Sequence, residues 1–218
     1  MAGSKEELMR ALVAEIMACT RCPLHATRKN PVPGEGNLDA ELMLIGEAPG
    51  HWEDVKGRPF VGAAGKLLDK LLALAGFRRE EVYIANVLKC RPPGNRDPRP
   101  EEVEACTPFL DRQIQIIRPK VIVTLGRHST RYIFSKAGLR FTRMGDVRGH
   151  VYEVGVLGLR VKLVPTLHPA SALYNPSYRS LLEQDFELIG RVVRGLAGAE
   201  EPGPELRGRK GTLEEFMV

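Results

Sequence analysis

Short, strongly apolar runs alternate along this chain with longer segments of helical spacing, and this alternation limits the possible folds more than any other feature. "ELMLIG" (41–46), "VYIANVL" (82–88) and "KVIVTLG" (120–126) are too short for typical helices. They also lack the apolar/polar alternation of a half-exposed strand, so they read as strands buried on both faces. Between them the apolar spacing becomes three and four residues. Residues 5–18 form an amphipathic helix opened by a capping box, Ser4 with Glu7. Leu67, Leu68, Leu71, Leu72 and Leu74 mark a second helix, which Gly76 ends. "EEVEACTPFLDRQIQII" opens with acids in its first turn, although Pro108 predicts a kink or a broken start. Further helices are expected over 127–137 and 178–195, with a hairpin of runs 150–157 and 159–164 about Gly158. Strands alternating with helices predict an α/β fold, a three-layer α/β/α sandwich around a central, mainly parallel sheet. Ligand sites in such folds lie beyond the carboxyl ends of the strands. Four loops qualify: 46–62, 86–100, 126–128 and 165–177.

At 218 residues, one domain over 1–197 is expected, followed by a flexible tail over 198–218 rich in Gly, Pro and charge. No window approaches a membrane span, and "MAGSKEELMR" lacks the apolar stretch of a signal peptide. A cytoplasmic monomer is expected, in a compartment where disulfides are uncommon. Net charge is +5, and arginine supplies 22 of the 32 bases. That balance favours a nucleic-acid partner and fits equally an arginine-rich solvated surface.

Four cysteines are present: Cys19 and Cys22 in "ACTRCPL", then Cys90 and Cys106. Four thiolates suit zinc or an iron–sulfur cluster, and this spacing does not distinguish them. The five histidines show no HExxH spacing, so a histidine zinc site is not expected.

The strand-end loops carry the remaining chemistry. "GEAPG" (46–50) is neither a Walker loop nor a GxGxxG fingerprint. Its glycines allow close backbone approach to a ligand, and Glu47 is a catalytic carboxylate or a solvated turn residue. Glu53 and Asp54 follow. Phe60 either stacks on a flat base or plugs the core. Asn86 ends a strand and offers both a donor and an acceptor, to a nucleobase edge or to nearby backbone. His168 is fixed on a loop before Pro169, and His51 and His128 lie in strand-end loops as well.

Taken in order, "GEAPG…ED…GRPFVGAAG…LL", "VYIANVLKCRPPGNR", "VIVTLG" and "HPASAL…NP" resemble the family-4 uracil-DNA glycosylases, the thermostable iron–sulfur branch of that superfamily. The resemblance runs from about Cys19 to about Ile189. It implies a glycosylase-like fold and a [4Fe–4S] cluster on Cys19, Cys22, Cys90 and Cys106, structural in role. It implies uracil-containing DNA as substrate, with the base flipped into a pocket lined by Gly46, Glu47 and Ala48. Phe60 would stack on uracil, Asn86 would bond its amide edge, and His168 would face carbonyl O2. Glu47 and His168 are the catalytic candidates. Family-1 relatives carry an aspartate where this chain has Ala48, so Glu47 or backbone must compensate. A branch that bonds covalently to DNA has a KRRIH insertion, which "CRPPGNRDPRP" lacks, so turnover is expected. DNA grip is expected from Arg91, Arg96 and Arg99, with Leu173 or Tyr174 as a wedge in the helix. In "KGTLEEFMV", Leu213, Phe216 and Met217 resemble a PCNA-interacting box, which would make a sliding clamp a second partner. The alternatives are a glycosylase for another damaged base and a non-catalytic iron–sulfur DNA-binding protein.

Overall fold

The computed structural model describes residues 3–195, 198–199 and 206–207. Among these, six strands form one sheet: β1 (Glu35–Gly36), β2 (Leu42–Gly46), β3 (Tyr83–Asn86), β4 (Val121–Leu125), β5 (Tyr152–Val156) and β6 (Leu159–Thr166). Their order is β1-β3-β2-β4-β6-β5. The central four run parallel, while β1 and β5 are antiparallel at the two edges. The sheet is therefore mainly parallel, and β5–β6 is the expected hairpin.

Helices cover both faces. On one lie α1 (Lys5–Met17), α4 (Pro100–Ile117) and α5 (Arg127–Lys136), packed over Met43, Ile45 and Ile122. On the other lie α3 (Ala63–Ala75) and α8 (Tyr178–Val193), packed over Leu42, Leu44, Val123 and Val164. Successive strand residues thus enter opposite layers, which explains the unbroken apolar runs. Between β2 and α3 lies α2 (His51–Lys56), and two short helices, α6 (Met144–Val147) and α7 (Ser171–Tyr174), complete the set.

The capping box of α1 forms as the sequence predicts, with Glu7 N–H donating to Ser4 Oγ at 3.2 Å. Gly76 closes α3 in the left-handed conformation. Pro108 neither breaks nor ends α4, which continues to Ile117. Pro108 and Glu104 lie on the exposed side, where solvent reaches the carbonyl that the proline cannot pair. Beyond α8, Leu206 is buried against the body, and its carbonyl accepts the N–H of Arg140 at 2.7 Å. The clamp-binding candidates Leu213, Phe216 and Met217 lie outside the described residues. No helix among the described residues is long and apolar enough to cross a membrane.

Candidate active site and cysteine centre

The parallel strands place Gly46, Asn86, Gly126 and, two residues beyond β6, His168 at the same edge of the sheet. A cavity of about 310 Å³ opens there, lined by Glu47, Ala48, Phe60, Asn86, Arg96, His168 and other residues of the same loops. Its base is set by strand register: Gly46 pairs directly with Asn86 across β2 and β3. A Cβ on Gly46 would stand 2.3 Å from Asn86 Oδ1 and 2.7 Å from Phe60 Cζ, so only glycine lets both groups close on this spot. Asn86 is buried, and its Oδ1 has no hydrogen-bond partner. An unpaired buried acceptor costs stability, and such atoms tend to persist where function needs them.

Phe60 is held from three sides. Its φ is +50°, outside the usual range for a side chain of this size. Glu53 fixes the following turn, its Oε1 accepting the N–H groups of Val61 at 2.8 Å and Gly62 at 2.9 Å. Arg79 Nη1 donates to the Phe60 carbonyl at 3.3 Å, and a Cβ on Gly65 would stand 1.8 Å from that oxygen. Asp54, by contrast, faces away from the cavity and accepts the N–H of Lys29 at 2.8 Å. The Phe60 and His168 rings lie stacked, with centroids 5.5 Å apart.

His168 is anchored through the end of β6. Thr166 Oγ1 donates to buried Asp185 at 2.6 Å, and Arg148 Nη2 donates to the same carboxylate at 2.6 Å. The N–H of Ala170 donates to His168 Nδ1 at 3.1 Å. A neutral imidazole in that bond carries its proton on Nε2. Burial keeps the ring neutral, with its pKa pushed down to about 4.

Glu47 shows the opposite shift. Burial, reinforced by the nearby Asp97 carboxylate and opposed by Arg127, pushes its pKa up to about 7. Asp97 comes from the 91–100 loop and pairs with Arg127 at 2.5 Å and with His128 Nε2 at 3.3 Å. His128 in turn lies 3.8 Å from Glu47 Oε2. Three strand-end loops therefore meet at one carboxylate.

The DNA-contact candidates separate in space. Tyr174 lines the cavity and is 90% exposed, whereas Leu173 lies in an adjoining groove. Arg91 is not among the cavity-lining residues; its Nε donates to Asn95, which is one, at 2.7 Å, and its Nη1 lies 3.3 Å from His51 Nδ1. Arg96 lines the cavity but is engaged with the fully buried Glu102, at 2.5 and 2.9 Å. Arg99 opens α4 as its N-cap, with its N–H donating to Glu102 at 2.8 Å. Trp52, unremarked in the sequence, is 56% exposed on α2 beside the cavity residue Glu53.

Away from the cavity, Cys19, Cys22, Cys90 and Cys106 converge on a single small void between α1, α4 and the end of the β3 loop. None forms a disulfide. Burial pushes the thiols of Cys22 and Cys90 up and that of Cys106 to about 12, so a bound cation is what would ionise them. Arg28 Nη1 donates to Cys90 Sγ at 3.1 Å, and the Lys89 N–H donates to Cys106 Sγ at 3.1 Å. Four thiols with N–H donors aimed at sulfur fit a thiolate-held metal centre. Lys89, fully buried, also donates from Nζ to the Asn86 carbonyl at 2.8 Å, linking this centre to the cavity.

The family model of the uracil DNA glycosylase superfamily matches residues 33–188, a span that holds β1 to β6 and the residues of the cavity at their ends. The type-4 uracil-DNA glycosylase of Archaeoglobus fulgidus is 54% identical over 90% of this chain and 96% of its own length. That of Thermotoga maritima is 47% identical over 88% of this chain and 97% of its own. The chain belongs to the type-4 uracil-DNA glycosylases.

Proposed function

We propose that the protein flips uracil out of DNA and hydrolyses its N-glycosidic bond, starting base excision repair as a monofunctional enzyme. The observation that carries this reading is the unpaired Asn86 Oδ1 beside Phe60 and His168. Uracil presents an N3–H donor between two carbonyl acceptors. Asn86 Oδ1 would accept N3–H while its amide donates to O4, and cytosine's reversed pattern would leave both groups unpaired. Phe60 would stack on the ring.

In the reaction, water oxygen bonds to C1′ as the C1′–N1 bond breaks, and the electron pair of that bond leaves with uracil. The neutral His168 would donate Nε2–H to O2, where the negative charge collects. Glu47, ionised above about pH 7, would stabilise the sugar cation and take the proton of water. Ala48 leaves no second carboxylate at the next position for this task. Tyr174, or Leu173 next to it, would fill the gap left by the flipped base.

We assign the four-cysteine centre a [4Fe–4S] cluster, as the family resemblance implies, held by Cys19, Cys22, Cys90 and Cys106. When bound it would tie α1 to α4 and to the 91–100 loop, and no reaction step passes through it. For the tail, a sliding clamp is the proposed partner of Leu213, Phe216 and Met217. Deleting 208–218 should then abolish clamp binding and leave excision by the body intact.

The test of the activity is a labelled oligonucleotide with one uracil, incubated with purified protein and treated with hot alkali beside a thymine control. Scission at uracil only after alkali supports a monofunctional glycosylase. Protein that binds this strand but never cleaves it would instead favour a binding-only role.

A further inference from the structure

A second groove, of about 210 Å³, adjoins the base cavity. Ala64 and Ala170 line the cavity while Ala63 and Ala172 line the groove, so the first turn of α3 and the 170–172 segment form a shared wall. Lys66 and Lys70, both exposed, line the groove from successive turns of α3, about 6 Å apart along the axis. Arg179 closes it from the first turn of α8, and Leu67 and Leu173 supply its apolar surface. No carboxylate is among the described residues that line it. Of the acids nearest in sequence, Asp69 is engaged outside the groove with Arg79 at 3.0 Å, while Glu183 offsets the groove's own Arg179 at 3.0 Å, so Lys66 and Lys70 supply its net positive charge. On the opposite side of the cavity the charge is offset, since Arg96 pairs with Glu102 and Arg127 with Asp97.

We infer that this groove carries the phosphodiester backbone of the strand that holds the flipped base, with Lys66 and Lys70 neutralising neighbouring phosphates. The inference rests on the proposed DNA reading and adds to it the direction in which that strand leaves the cavity, over α3. Lysine ammonium groups suit this task because phosphate neutralisation needs charge and not base-edge geometry. Leu67 and Leu173 would meet the sugar faces between phosphates.

The test is equilibrium binding of a duplex carrying one tetrahydrofuran abasic site, measured from about 50 to 200 mM salt. The proteins are the wild type, a Lys66→Ala/Lys70→Ala double variant and the matching Lys→Arg pair. The alanine pair should weaken binding about tenfold or more at low salt and reduce the slope of log K against log [salt] by about one to two. The arginine pair should restore both. An unchanged slope in the alanine pair, with or without a loss of affinity, overturns the groove as a phosphate track while wild-type excision leaves the activity standing. A wild type that neither binds this duplex nor excises uracil overturns both readings.

Discussion

The side-chain oxygen of Asn86 stands 2.3 Å from where a Cβ on Gly46 would lie, and it has no hydrogen-bond partner. Adjacent parallel strands thus bring an unpaired acceptor and a bare backbone to one spot. Asn86→Ala should cut uracil excision by about 10²-fold, as expected for a lost hydrogen bond to the reacting group. It should leave thermal stability nearly unchanged, because the unpaired oxygen stabilises nothing in the free protein. Single-turnover rates and a melting curve on the same preparation check both halves. A large loss of stability would make Asn86 a structural residue.

Gly46→Ala should damage the same place by crowding. The added methyl would meet Asn86 and Phe60 together, so excision should be lost, with a stability cost of about 1–3 kcal/mol. Gly65→Ala should cost more, since its methyl meets the backbone carbonyl of Phe60, which Arg79 also holds. Denaturant midpoints should rank wild type above Gly46→Ala and Gly46→Ala above Gly65→Ala.

The raised pKa of Glu47 has two consequences of opposite sign. If the ionised form acts in catalysis, the single-turnover rate should rise tenfold per pH unit and level off above about 7. His168, at about 4, adds no limb in the neutral range. For stability, the folded state binds more protons than the unfolded state between the ordinary value of 4.5 and about 7. Stability from this site therefore falls as pH rises through that window and is constant above it. Glu47→Gln should abolish the kinetic limb and stabilise the protein at pH 8 by about 1–3 kcal/mol. A rate profile flat from pH 5 to 8 in the wild type would count against the role of Glu47.

The cysteine centre should bind iron. Iron and sulfide analysis should give about four of each per chain, and Cys106→Ala should lose both along with several kcal/mol of stability. One zinc per chain would instead support the simpler thiolate site. In either case loading should release protons, because burial holds the free thiols protonated.

Much of this architecture was legible because local chemistry decides it. Leu42–Ile45 read as a doubly buried strand because both layers demand apolar side chains, and the four parallel strands end on or beside glycine or a polar residue, at Gly46, Asn86, Gly126 and Thr166. Glu47, Asn86 and His168 are therefore legible from the sequence as strand-end residues, and Phe60 as a loop residue before a helix. Other features depend on contacts between distant segments. α2 has no apolar stripe to mark its six residues. Gly65 matters only because the Phe60 carbonyl lies against it, and Asp97 meets His128 only when two loops converge. Arg96 reads as a phosphate ligand until Glu102, buried one helical turn into α4, takes its guanidinium. Lys66 and Lys70 carry no signal in the sequence, because only the fold brings Leu173 and Arg179 to the same groove.

The most direct measurement is single-turnover excision from one uracil-containing oligonucleotide by the wild type, His168→Ala and Glu47→Ala, with DNA binding measured in parallel. The wild type should release uracil and spare thymine, His168→Ala should be slower by about 10²- to 10³-fold, and Glu47→Ala by about 10²-fold or more. Both variants should keep most of their affinity for the strand. Wild-type rates in both variants, or no uracil release by wild-type protein that binds the strand, would contradict the account.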